Sequence, residues 1–86
     1  MKITSSKQAA ELIKDGSIKE GTRLYFTAGI YEITETYHGS RTGEAAGEYA
    51  EVHTGINEET GEEVETLQEA QRFTLQDLIG GEVAQI

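Results

Sequence analysis

Apolar residues at helical spacing mark one element near the amino terminus. Four of the five positions in 9–13 are apolar, and they form a stripe that one face of a helix would turn toward a core. Ser5 and Gln8 have the spacing of a capping box, and Gly16 provides a left-handed stop. The pattern predicts a short amphipathic helix over residues 6–15.

The next pattern is that of a β-hairpin. Residues 22–27 are rich in aromatic and β-branched side chains, and residues 30–37 alternate, with Tyr31, Ile33, Glu35 and Tyr37 on one face. Ala28-Gly29 between them suits a tight turn. The hairpin is expected to supply four core side chains: Leu24, Phe26, Tyr31 and Ile33.

A second hairpin is predicted after a glycine-rich loop over residues 38–47. Residues 48–54 suit a third strand that turns Ala50 and Val52 inward and Tyr49, Glu51 and His53 outward. Thr60-Gly61 is a turn signal. Residues 63–68 then suit a fourth strand with Val64 inward, although Glu, Leu, Gln and Ala also favour a helix, so strand and helix both stay open.

The carboxyl-terminal segment carries a second helix signal. Phe73 precedes Thr74, and Asp77 stands three residues after that threonine, as at a capped helix start. The pattern predicts a short helix with Leu75, Leu78 and Ile79 buried. Residues 82–86 are expected to form a tail or a last edge strand, and residues 1–4 a brief strand or an arm.

These elements predict one α+β domain over residues 1–86: a small antiparallel sheet or partly open barrel of about four strands, with a short helix near each end. A chain of 86 residues has a thin core, which favours surface-based binding over catalysis. It has no cysteine, which fits a reducing, cytoplasmic setting, and no apolar run long enough to span a bilayer.

The charge of the chain is concentrated in one segment. Residues 42–71 contain nine Glu and no Lys, Arg or Asp, and the flanks are nearly neutral, so this segment accounts for the net charge of −9. Such a field repels nucleic acids and anionic membranes and attracts cationic partners. A second interpretation is that outward Glu only keeps a small sheet soluble and protects its edges.

No motif indicates catalysis, a metal or a cofactor. His38 and His53 have Glu neighbours, but they are far apart in sequence and lack the spacing of a metal motif. Ser40 has no nucleophile elbow around it, and residues 39–47 lack the Gly-Lys-Ser/Thr ending of a phosphate-binding loop. No catalytic residue, no metal ligand and no cofactor are therefore expected.

Concentrated carboxylates on a small scaffold present a surface comparable to a row of phosphates, which a cationic groove built for nucleic acid would attract. In composition the chain resembles the small acidic nucleic-acid mimics with which viruses of bacteria block host defence enzymes. The resemblance implies a non-enzymatic inhibitor that occupies a basic surface of a partner protein, such as a nucleic-acid-binding enzyme or complex.

The expected contacts lie in residues 44–69, and the oligomeric state is left open. The alternative is a structural or adaptor module that binds through an apolar edge or through Leu75 and Leu78, with the Glu-rich face only solubilising. For the first hypothesis the contacts are eight glutamates and one possible aromatic anchor: Glu44, Glu48, Glu51, Glu58, Glu59, Glu62, Glu63, Glu65 and Tyr49.

Overall fold

The structure, a computed structural model, describes residues 1–37, 41 and 43–84. It confirms an α+β fold with one amino-terminal helix, but the open antiparallel sheet has six strands where about four were predicted. The elements are α1 (Ser6–Lys14), β1 (Arg23–Phe26), β2 (Gly29–Thr36), β3 (Ala45–Ile56), β4 (Glu63–Leu67), β5 (Gln71–Thr74) and β6 (Glu82–Val83). The strand order is β4-β3-β2-β1-β6, and β5 pairs with the first half of β3.

Helix α1 begins where the capping pattern predicted. The Gln8 backbone N–H donates to Ser5 Oγ at 3.1 Å. Gln8 Oε1 in turn accepts from the Thr4 backbone N–H at 2.8 Å, one residue earlier than in a regular capping box. The amino-terminal segment reaches the sheet through an isolated bridge between Lys2 and Glu82.

The core lies between α1, the carboxyl-terminal turn and one face of the sheet. Leu24 and Ile33 are fully buried there, as predicted, and Phe26 packs against this cluster while half-buried. Tyr31 is also half-buried, with its ring edge-to-face on Phe26. The other members of the core cluster are Ile3, Ala9, Leu12, Ile13, Ile18, Ala46, Phe73, Leu75, Leu78 and Val83.

A β-bulge in β2 changes the predicted faces of that strand. Ile33 pairs with Tyr49, and the next pair is Glu35 with Glu48, so one extra residue lies between them on β2. Because the extra residue shifts the alternation, Glu35 lies on the face opposite Ile33. The prediction that both share one face is therefore wrong.

In β3, Ala50 and Val52 are buried and His53 is exposed, as predicted, but the prediction that Tyr49 faces outward is wrong. The Tyr49 ring stacks on Tyr31 at 4.6 Å and lies 5.0 Å from the Phe73 ring, so it belongs to the core face. Ala50 and Val52 are buried on the other face, outside the core cluster. We call this other face, which also carries Arg23 and Glu32, the outer face. Because β3 buries side chains on both faces, burial alone could not show which of its residues face the core cluster.

The carboxyl-terminal helix prediction is wrong. Thr74 ends strand β5, which was not predicted, and only a 3-10 turn over Gln76–Leu78 follows. Half of the predicted cap is present, because the Thr74 backbone N–H donates to Asp77 Oδ2 at 2.8 Å. Leu75 and Leu78 are buried as expected, but Ile79 is exposed. The predicted last edge strand is β6.

Candidate partner-binding surface

The second half of β3, its turn and β4 form a two-stranded ribbon, residues 52–67, which we call the arm. Pairing between β2 and β3 ends at Glu51, so beyond this residue β3 pairs with β4 alone. All residues from His53 to Leu67 are exposed, and the molecule is elongated, with extents of 46 × 23 × 21 Å. Residues 63–67 are thus a strand, and the prediction that Val64 points inward is wrong.

The turn at the tip of the arm forms where Thr60-Gly61 predicted it. Gly61 has a left-handed φ of 73°, and its N–H donates to the Asn57 carbonyl at 2.7 Å. Asn57 Oδ1 accepts from the Glu59 backbone N–H at 2.9 Å, which fixes the start of the turn. This local chemistry holds Glu58, Glu59 and Glu62 at the exposed tip.

The arm carries five glutamates and no lysine or arginine: Glu58, Glu59, Glu62, Glu63 and Glu65. Of these, only Glu65 forms an ion pair within the described part of the chain. From Val52 to the tip the ribbon is roughly 20 Å long at about 3.3 Å per residue. Glu58, Glu59 and Glu62 lie in the turn at the tip, and Glu63 and Glu65 follow on β4 roughly 6.6 Å apart, so the carboxylates are concentrated toward the distal part of the ribbon.

Arg23 anchors the base of the arm. Its Nη1 lies 2.6 Å from Glu65 Oε2 on β4, and its Nε lies 3.2 Å from Glu32 Oε1 on β2. Hydrogen bonds to Glu65 and then Glu32 raise the pKa of the Arg23 guanidinium, so it stays charged. Since β1 and β4 are separated by two strands, the Arg23 side chain crosses the outer face, where Ala50 and Val52 are buried.

The other four predicted contacts lie outside the arm, although Glu51 directly precedes it. Glu44 is exposed just before β3, at the end of that strand opposite the arm. Glu48 Oε2 accepts from the Tyr37 hydroxyl at 2.8 Å, and Glu51 Oε1 lies 3.2 Å from His53 Nε2. Tyr49 belongs to the ring stack on the core face. The structure thus brings together five of the nine predicted contacts.

The body of the sheet also holds a close pair of carboxyl groups on the outer face. A side-chain hydrogen bond to Glu48 raises the pKa of Glu35, with smaller contributions from desolvation and from the charge of Glu20. A hydrogen bond to Glu48 likewise raises the pKa of Tyr37. Burial is the main cause of the raised pKa of Tyr49. The Glu35 and Tyr37 shifts thus share one cause, the Glu48 carboxylate, whereas Tyr49 lies on the core face.

Sequence reasoning missed three exposed apolar side chains on the arm. Ile56, Val64 and Leu67 are 68%, 41% and 48% exposed. Ile56 pairs with Glu63, so these two side chains share the outer-face side of the ribbon with Leu67. The alternation of polar and apolar residues in β4 indicated a strand with one apolar face, but that face was assumed to be buried.

Neither a metal centre nor a membrane-spanning helix is found in the described part of the chain. Its His, Asp and Glu residues form no group of three that could hold a metal ion. No helix within the described ranges has the length and hydropathy to cross a bilayer. His38 and Ser40, considered above for chemistry, lie outside the described residues.

The chain was compared with family models, with curated proteins and with solved structures. No family model, no curated protein and no solved structure matches it. The function is therefore inferred from the geometry and charge of the arm.

Proposed function

We propose that this chain is a non-enzymatic binding protein that inserts its acidic arm into a basic, nucleic-acid-binding surface of a partner protein. The observation that carries the proposal is the arm itself: a projecting ribbon, exposed from His53 to Leu67, with five glutamates and no lysine or arginine. In this proposal the chain acts in the cytoplasm, as an inhibitor of the anti-defence kind that its composition resembles, and binds neither nucleic acid nor membrane itself.

The placement of the charge supports a role in association. Four of the five arm glutamates have no ion pair among the described residues, so their field extends into solvent. A concentrated field of this kind speeds the encounter with a cationic groove and weakens as salt screens it. The principal contacts are Glu58, Glu59, Glu62 and Glu63, with Glu65 shared between Arg23 and the partner.

An adaptor role through apolar surface is the second candidate. The exposure of Ile56 and Leu67 favours it, because apolar side chains on the same face of an exposed ribbon suit a protein interface. Leu75 and Leu78 cannot make that contact, since they are 4% and 0% exposed. In this candidate, binding persists in high salt and is lost in I56S/L67S.

The two candidates are distinguished by capture from a native extract. Immobilised protein is incubated with the extract and eluted with a salt gradient, and the eluted partner is tested for nucleic-acid binding. We expect elution at moderate salt of a basic, nucleic-acid-binding protein. The variant E58K/E62K/E63K should not retain this partner.

A matched variant controls for total charge. E11K/E20K/E82K reverses three exposed glutamates outside the arm, so it changes the net charge by the same amount. It should retain the partner as the wild type does. Equal retention by the two triple variants would contradict a specific role of the arm.

A further inference from the structure

The hydrogen-bond register of the arm fixes which backbone groups of β4 face outward. The Asn57 N–H donates to the Glu62 carbonyl at 2.8 Å, and the Gln68 N–H donates to the Glu51 carbonyl at 2.9 Å. Hydrogen-bonded pairs alternate with non-bonded pairs along an antiparallel ladder. The pairs Gly55–Val64 and His53–Thr66 are therefore bonded, and the pairs at Glu63, Glu65 and Leu67 are not.

It follows that Glu63, Glu65 and Leu67 direct their N–H and C=O groups away from β3. Strand β4 ends the strand order, and within the described residues no other strand pairs with its outer edge. These three residues also project their side chains to the same face, because they are two apart. The outer edge of β4 is thus an open template of backbone groups, bordered by two carboxylates and one leucine.

Charge disfavours a second copy of this chain as the occupant of that edge. Two β4 strands pairing antiparallel about Glu65 would place that residue opposite its own copy, and like charges directly opposite are destabilising. The exposed glutamates therefore protect the edge from self-association. The same glutamates favour a cationic strand, since a basic side chain opposite Glu63 would meet a carboxylate with no ion pair among the described residues, and one opposite Glu65 would share it with Arg23.

We propose that an extended basic segment of the partner adds antiparallel to the outer edge of β4. Its residues opposite Leu67, Glu65 and Glu63 follow the pattern apolar-x-basic-x-basic, where x points to the other face. Backbone hydrogen bonds supply affinity in this mode, and the alternate side chains supply specificity. The inference rests on the proposed function and names the part of the partner that the arm recognises.

The test uses a labelled peptide with the core Ile-Thr-Lys-Thr-Lys and two N-methylated forms of it. One form is methylated at the Ile and both Lys, whose amides would face β4, and the other at both Thr, whose amides would face away. Binding is measured at low salt, and amide exchange in the protein is followed by NMR. The peptides leave the protein unaltered, so its folding does not affect the comparison.

We expect the form methylated at Ile and Lys to bind at least about tenfold more weakly than the other, because it lacks three backbone donors. The unmethylated peptide should also protect the Glu65 and Leu67 amides from exchange. Equal binding of the two methylated forms, or no measurable peptide binding, would overturn strand addition. If the two methylated forms bind the wild type equally and neither binds E58K/E62K/E63K, the charge role of the arm is still supported. If they bind this variant as they bind the wild type, the proposed function is contradicted as well.

Discussion

At Gly47, β3 leaves no room for a side chain. A Cβ built there would collide with the Glu35 carbonyl oxygen and lie 2.7 Å from Phe73 Cζ. This glycine lets the Phe73 ring pack directly on β3, next to the bulge of β2. The packing holds β2, β3 and β5 together. Close packing thus restricts the side chains that fit in the body of the sheet, whereas the exposed side chains of the arm are not restricted in this way.

The variant G47A should therefore be destabilised by about 2–4 kcal/mol, because neither the backbone carbonyl nor the buried ring can move freely. Urea unfolding measures the change. G55A is the matched control, since a Cβ at Gly55 meets nothing within 4 Å. It should alter stability by less than about 1 kcal/mol in either direction. Similar losses in both variants would contradict the packing account.

The carboxyl pair formed by Glu35 and Glu48 predicts a dependence of stability on pH. The folded chain raises the pKa of Glu35 above its ordinary value of 4.5, so it binds a proton that the unfolded chain releases more readily. Stability contributed by this group is therefore present at low pH and lost as the pH rises through the raised pKa.

The variant E35Q keeps a donor for Glu48 and removes the titration. It should be more stable than the wild type near pH 7 and similar to it near pH 4. Thermal unfolding across this range measures the difference, and E11Q, which removes one exposed carboxylate from α1, is the control. A gain from E35Q that does not depend on pH would show that the pair is not its cause.

At the scale of elements, the arm is a ribbon of two strands, which is marginally stable unless the rest of the fold supports it. Its support is at the base, where Val52 is buried and Arg23 holds Glu65. The tip depends only on its own turn. We expect the arm to be less protected than the helix-covered core.

Amide exchange tests this arrangement. In the wild type, the Val64 and Thr66 amides should exchange slowly and the Glu65 amide fast, as the register requires. R23Q should accelerate exchange at Val64 and Thr66 while leaving α1 unchanged. K19Q removes an exposed cation outside any ion pair among the described residues and should have no such effect. Slow exchange at Glu65 in the free protein would contradict the open edge of β4.

The elements that depend on local chemistry were predictable from the sequence. The capped helix α1, the first hairpin and the Thr60-Gly61 turn each formed where their residues indicated. Strand β5 was missed because Thr74 and Asp77 have a helix-start spacing, and only the pairing with β3 shows that Thr74 ends a strand. The bulge between Ile33 and Glu35 and the packing of Tyr49 on the core face likewise depend on tertiary contacts that the sequence pattern alone does not contain.

At the scale of the whole molecule, the fold places glutamates that are concentrated in one segment of the sequence on one projecting part of the surface. The glutamates of residues 58–65 project beyond the body of the sheet, whereas Glu48 contacts Tyr37 and Glu51 contacts His53 at the base of the arm. The acidic segment was evident from the sequence, but its division into a projecting arm and a locally satisfied part required the strand register. In the proposed function, the arm competes with nucleic acid for a basic surface of the partner.

The most direct measurement is displacement of a labelled oligonucleotide from the captured partner at low salt. The wild type and E11K/E20K/E82K should displace it with similar midpoints at the same salt concentration, because both keep the glutamates of the arm. E58K/E62K/E63K should need at least about tenfold more protein, since three opposed charges are reversed. Displacement by this arm variant at the wild-type midpoint, or none by the wild type, would contradict the account.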